Sequence, residues 1–308
     1  MQVFDASAVR ARCPMPALVR SLQRAFARGA EVPQRHAHAL PGGASVLLMP
    51  AWREAGRLGV KTVTICPGNG TLGLPGVHGL YSLFDARTGV PLAVMDGSEL
   101  TARRTAAASA LAASYLARSD ATRLLVVGAG RVAELLPEAM RAVRPGLAQI
   151  SVWARRAEAA EALAARWRAL GQPAIAAPDL AEAARRADIV SCATLATEAL
   201  VQGAWLAPGS HLDLIGSFTP AMREADGACF AQARVYVDTA EALVKAGDVL
   251  RAIEEGAFAA ERVAGTLADL ARGHHPGRAT AAERTLFKSV GNAIEDLAAA
   301  ELVLDGPG

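Results

Sequence analysis

The chain of 308 residues is hydrophobic at 52% of positions and charged at 20%, with Lys+Arg 32 against Asp+Glu 30. At about 150 residues per domain, this length predicts two domains with room for a packed core, and the composition excludes a disordered chain. A net charge of +2 is too balanced for a nucleic-acid footprint or a polybasic membrane patch. Lysine occurs only at Lys61, Lys245 and Lys288. The four cysteines, Cys13, Cys66, Cys192 and Cys229, form no CxxC and no Cys/His cluster at metal-ligand spacing, so neither a disulfide framework nor a metal site is expected. Met1-Gln2-Val3-Phe4-Asp5 lacks the pattern of a signal peptide, and no apolar run approaches the roughly 20 residues that span a bilayer. The expectation is a cytoplasmic protein.

In chain order, Ser7 or a neighbour caps a first helix whose path past Pro14 and Pro16 is open. Val46–Pro50 and Lys61–Cys66 read as short strands, and Pro67-Gly68-Asn69-Gly70 as a turn. Tyr81–Asp85 and Val90–Met95 form a hairpin across Ala86-Arg87-Thr88-Gly89. This front third predicts an antiparallel sheet with helices. From Arg123 the texture changes: Leu124-Leu125-Val126-Val127 is a continuous apolar run, as in a strand buried on both faces of a parallel sheet. A Gly-rich turn, a helix to about Val143, a strand at Ile150–Trp153 and a helix from Ala157 to Leu170 follow. Further strands are predicted at Ile189–Cys192, His211–Ile215 and Val235–Val237. Strands alternating with helices predict an α/β doubly wound sheet. After Asp248 the chain reads as mostly helical, ending in a helix from Gly291 to Leu304.

The turn Val127-Gly128-Ala129-Gly130-Arg131-Val132-Ala133 is G-x-G-x-x-A. A pyrophosphate needs a tight turn (Gly128), close backbone approach (Gly130) and a small residue where helix meets strand (Ala133). A plain chain reversal also uses such a turn, but here it follows an apolar strand and opens a helix. Pro137 should kink or distort that helix. At the end of the second strand, where an NAD site usually carries an acid, stand Ala154-Arg155-Arg156. Two guanidiniums suit a 2′-phosphate, so NADP(H) is the preferred cofactor and NAD(H) a possible one. The alternative is that both arginines are solvated charges at the helix entry.

Three cations in the front third stand in suggestive settings: Arg35 after Pro33, Lys61 in an apolar strand, and Arg104 in a helix opening at Thr101. In one cleft they would clamp a carboxylate, whereas each alone is a surface charge. His78, in Gly76-Val77-His78-Gly79, reads as an acid, a ligand contact or a satisfied turn histidine. His274-His275 read as an exposed loop.

Several stretches resemble the ornithine cyclodeaminase/mu-crystallin family: Lys61–Asn69, Gly79–Asp85, Thr88-Gly89, Thr101–Ala107, Val126–Ala133 and Phe287–Asp296. The resemblance implies a homodimer with a substrate-binding and dimerisation domain, 1–118 plus 286–308, and a Rossmann domain inserted at 119–285. It implies a carboxylate grip at Arg35, Lys61 and Arg104, and a pyrophosphate turn at Gly128, Gly130, Arg131 and Val132. Arg155 and Arg156 fall at the adenosine ribose, Thr194 at the end of a later strand, and Ser289 and Gly291 near the nicotinamide. In Gly216-Ser217-Phe218-Thr219-Pro220, Phe218 takes the place of the cyclodeaminases' catalytic Asp. A phenyl ring cannot hold a distal amine or move a proton. The expected activity is reduction of a cyclic imine carboxylate, Δ1-pyrroline-2-carboxylate or Δ1-piperideine-2-carboxylate, with Lys61 or a water held by His78 supplying the proton. The alternatives are a cyclodeaminase, an amino-acid dehydrogenase, or a mu-crystallin-like protein that binds NADPH and a ligand without turnover.

Overall fold

A computed structural model describes every residue except Ala55 and Gly308. The chain divides into two compact units, Met1–Thr105 with Asn292–Gly308, and Ala106–Gly291. In the first unit the order is β1 (Gln2–Phe4), α1 (Ala6–Arg12), α2 (Met15–Arg28), β2 (His36–Ala39), β3 (Ser45–Trp52), β4 (Arg57–Ile65), β5 (Val77–Asp85) and β6 (Pro91–Asp96). Helix α3 (Gly97–Leu116) carries the division, and a C-terminal helix, Ala293–Asp305, belongs to the first unit. The cap of α1 is Asp5, whose Oδ1 accepts the Ala8 amide at 2.8 Å, so Ser7 lies inside the helix. Pro16 does not interrupt α2, because it falls in the first turn, where an amide has no helical partner.

The first unit's sheet runs β1-β6-β5-β4-β3-β2, antiparallel except for the β1–β6 pair. Side chains alternate across it. One face buries Met49, Ala51, Lys61, Tyr81, Leu83, Ala93 and Met95. A lysine in that series is unusual and needs a buried partner.

The second unit holds β7 (Arg123–Val127), α4 (Arg131–Val143), β8 (Gln149–Trp153), α5 (Ala157–Ala169), β9 (Ala174–Ala176), α6 (Leu180–Arg186), β10 (Ile189–Cys192) and β11 (His211–Leu214). Then come α7 (Gly227–Ala231), β12 (Arg234–Val237), α8 (Ala242–Lys245), α9 (Gly247–Glu254), β13 (Val263–Thr266), α10 (Leu267–Ala271) and β14 (Thr285–Lys288). Its eight strands are all parallel, in the order β13-β12-β14-β11-β10-β7-β8-β9. Leu124 to Val127 are each at most 1% exposed, as a strand covered on both faces requires.

One expectation is corrected. The stretch after Asp248 is not mostly helical: it supplies the edge strand β13 and the interior strand β14, which pairs with β11 and β12. Thr285-Leu286-Phe287-Lys288 is too short and too polar at its ends to read as a core strand, yet all four residues are buried. Helix α4 runs on through Pro137 as one element. The proline's missing amide therefore costs a hydrogen bond without ending the helix.

Candidate active site

In the second unit the strand order reverses at β7, which has β8 on one side and β10 on the other. Ligands of doubly wound sheets bind outside the carboxyl ends of strands at such a switch point. A cavity of about 560 Å³ lies there, lined among others by Gly128, Gly130, Trp153, Arg155, Arg156 and Thr194. The two glycines differ in role. Gly128 has φ +117°, and a Cβ on it would stand 2.5 Å from the Ala193 carbonyl oxygen. Gly130 has ordinary extended backbone, φ −87° and ψ −177°, and a Cβ there would meet nothing within 4 Å. The fold itself requires the first glycine, while the second leaves open space where a pyrophosphate needs to approach. Arg131 and Val132 are the first residues of α4, so their amides are among those a helix leaves without a helical acceptor. The pocket fits a dinucleotide.

Thr194 is held by a residue that sequence reasoning missed. Fully buried Glu224 accepts the Thr194 amide at 2.7 Å, the Thr194 hydroxyl at 2.8 Å and the Gly216 amide at 2.6 Å. Burial pushes its carboxyl above the usual range, and Lys288 works against that. Ser289 and Gly291 follow β14; the Val290 and Gly291 amides donate to Asp238 Oδ2 at 2.8 and 2.7 Å. Phe218 lies in the loop after β11 and is 42% exposed. His275 is no free loop residue: its ring nitrogens meet Arg234 at 2.7 Å and the Tyr236 hydroxyl at 3.1 Å.

In the first unit Lys61 stands mid-strand in β4, not at a strand start, and is 2% exposed. Its Nζ lies 2.6 Å from Asp296 Oδ2. Arg104 donates from Nε to Asp296 Oδ1 at 2.9 Å and from Nη1 to Glu295 Oε2 at 2.5 Å. Lys61 and Arg104 are thus brought together by two acids of the C-terminal helix. Burial pushes the Lys61 ammonium down to about 8, with Asp296 opposing the shift. Arg35 is half-buried in the connection between α2 and the edge strand β2.

His78 does not join them. It sits in β5 rather than a turn, paired with Thr64 and exposed. Lys61 pairs with Tyr81, three residues further along, so alternation turns His78 to the other face of the sheet. A motif search had no way to see Glu295 and Asp296 as partners of Lys61, because the pairing joins residues far apart in the chain. The local sign was two adjacent acids in the first turn of a largely apolar helix.

A parallel doubly wound sheet with a glycine turn and a cavity at its switch point defines a Rossmann-type dinucleotide-binding protein. The chain belongs to the ornithine cyclodeaminase/mu-crystallin family, which it matches over residues 2–306. It is 42% identical over 264 residues to the Delta(1)-pyrroline-2-carboxylate reductase of Paracoccus denitrificans, covering 85% of this chain and 84% of the relative. The structure of the Thermococcus litoralis Delta(1)-pyrroline-2-carboxylate reductase in complex with NADH and L-proline is similar at a TM-score of 0.93 and 32% identity, over 99% of this chain and 97% of that one. An archaeal alanine dehydrogenase dimer with bound NAD is similar at a TM-score of 0.91 and 30% identity, over 99% and 95%.

Proposed function

We propose that this protein reduces a cyclic imine carboxylate, Δ1-pyrroline-2-carboxylate or Δ1-piperideine-2-carboxylate, to proline or pipecolate. The observation that carries the reading is the buried pair of Lys61 and Arg104, two cations on one sheet-and-helix face of the first unit. Such a pair suits a single carboxylate, Arg by its fork and Lys as a point charge. Arg35 is the third member of this grip. Lys61 also supplies the proton to the imine nitrogen, since its amine is pushed down to about 8 and exchanges protons readily near neutral pH. His78, on the other face, is left with no part in that step.

A bound reduced nicotinamide supplies the hydride. Gly128, Gly130, Arg131 and Val132 hold its pyrophosphate, Thr194 bounds the pocket, and Ser289 and Gly291 lie toward the nicotinamide. Arg155 and Arg156 line the pocket with no acid from the end of β8, which favours NADPH, with NADH accepted. The Thermococcus and archaeal relatives hold NADH and NAD, so this chain's preference rests on its own arginines. Phe218 offers an apolar wall to a small ring and argues against a cyclodeaminase.

The protein acts as a cytoplasmic homodimer on small molecules and engages neither nucleic acid nor membrane. The second face of the first unit's sheet carries Val60, Leu80 and Phe84, half-buried or exposed, which a second copy would cover. Among the described residues no helix is long and apolar enough to cross a membrane. A second reading, amino-acid dehydrogenation, is favoured by the likeness to the archaeal alanine dehydrogenase. Assay of reduced-nicotinamide absorbance against a panel separates the readings. Turnover with the cyclic imines supports reduction; turnover with pyruvate and ammonia supports the dehydrogenase. Proline and ammonia from ornithine would revive the cyclodeaminase, and binding without turnover a mu-crystallin-like protein.

A further inference from the structure

Lys61 and Arg104 are not waiting with empty hands. Each is already engaged by an acid from the first turn of the C-terminal helix, and all four side chains are at most 6% exposed. Asp296 touches both cations, with one oxygen toward each. Glu295 holds Arg104 through Oε2 and closes the helix's own capping box through Oε1, which accepts the Asn292 amide. Both acids stand where the helix dipole favours negative charge. Two buried like charges repel, and neither would remain charged there without a counter-ion. Formal charges over the four groups cancel, so what the cations offer a ligand is aimed N–H donors rather than a field of excess charge.

We infer that Asp296 is the positioning residue of the carboxylate grip: it fixes Lys61 and Arg104 relative to one another and keeps Lys61 charged, without touching substrate itself. The inference rests on the proposed imine-carboxylate reading for what the grip binds. The charged groups facing Lys61 are Asp296 and Glu295 from the C-terminal helix and Arg104 from α3, while its cross-strand neighbours are Met49 of β3 and Tyr81 of β5. Of the acids, Asp296 does most to hold the Lys61 proton, against burial and Arg104, which drive it off. Loss of the Asp296 charge therefore shifts Lys61 titration downward.

The chain's three lysines make this directly observable. In protein labelled with ¹³C,¹⁵N-lysine, the Lys61 side-chain resonance, assigned with Lys61→Arg, is followed across pH in wild type, Asp296→Asn and Asp296→Glu. The midpoint should fall by about one pH unit or more in Asp296→Asn. The alkaline limb of pyrrole-2-carboxylate binding and of kcat/KM should fall with it. Asp296→Glu should restore the midpoint and the limb while leaving kcat low, because the charge returns at a different reach. Should Asp296→Asn not fold, Glu295→Gln is expected to give a smaller shift in the same direction. An unchanged Lys61 midpoint with only a lower Tm would overturn the inference, leaving Asp296 a structural acid. The midpoint is read without substrate or cofactor, so wild type that reduces no cyclic imine would defeat the proposed function separately.

Discussion

The cation site of the first unit and the dinucleotide pocket of the second are built on opposite plans. Lys61 and Arg104 are buried and neutralised by acids before any ligand arrives. Arg155 and Arg156 border an open cavity of about 560 Å³ that their own unit leaves for a ligand. A closed site of this kind contributes to folding and function together, because its residues are each other's counter-ions. An open one is separable: its residues serve the ligand, and the fold tolerates their loss.

The widest contrast is expected from truncating the buried cations. Lys61→Ala or Arg104→Ala takes one counter-ion from the buried Asp296–Glu295 pair, which must then take up a proton or stay under-compensated, at a cost of about 3–5 kcal/mol. Because these cations are partners in buried ion pairs, Tm falls as well. A drop in kcat/KM of roughly 100-fold or more should accompany it. Normal Tm with lost activity would show that the acids do not depend on these cations.

Within the glycine turn the two plans meet in neighbouring residues. Gly128→Ala should destabilise by about 1–3 kcal/mol through its φ and the Ala193 carbonyl. Gly130→Ala should leave Tm unchanged while weakening NADPH binding about tenfold or more, since the methyl takes the ligand's space. Calorimetric binding beside thermal unfolding checks both, and equal effects on the two readouts would erase the distinction. Next in size, Arg155→Asp should shift the kcat/KM ratio of NADPH over NADH toward NADH by about tenfold, trading a charge-assisted contact for repulsion. An unchanged ratio would return Arg155 to the role of a solvated helix-entry charge.

The smallest effect is on pH. Lys61 is protonated below about 8, so kcat/KM should decline as pH rises through that value. Stability moves the other way. The unfolded chain keeps the proton up to about 10.5 while the folded one releases it near 8, so between them U binds more protons and stability rises with pH. A profile flat through this window in both readouts would contradict the assignment.

What the sequence made legible follows the same division. The Gly128 turn, Arg155 and Arg156 were readable because one strand, one turn and one helix bring them together locally. Lys61 and Arg104 drew notice by residue type and by resemblance, but their pairing runs through Asp296, a contact between segments remote in the chain. Glu224 escaped for the same reason, since its value lies in three donors from two other loops. Strand β14 was hidden because Lys288, fully buried, ends it where a core strand would show an apolar residue. Its ammonium is satisfied by the Leu214 carbonyl at 3.1 Å and Asp248 at 3.5 Å, neither of which periodicity reveals. Of the readings open for His78, the turn one fails because the reversal its neighbouring glycines signal comes earlier, before β5 begins at Val77.

On the proposed function, the imine carbon of a ring carboxylate bound by Lys61 and Arg104 receives hydride from the reduced nicotinamide. Incubating the protein with Δ1-pyrroline-2-carboxylate and NADPH deuterated at the nicotinamide C4, then analysing the product by mass spectrometry, tests this most directly. The expected product is proline carrying deuterium at Cα, formed one for each NADPH consumed. Recovery of the imine with the deuterated cofactor unspent, under conditions where both are bound, would contradict it.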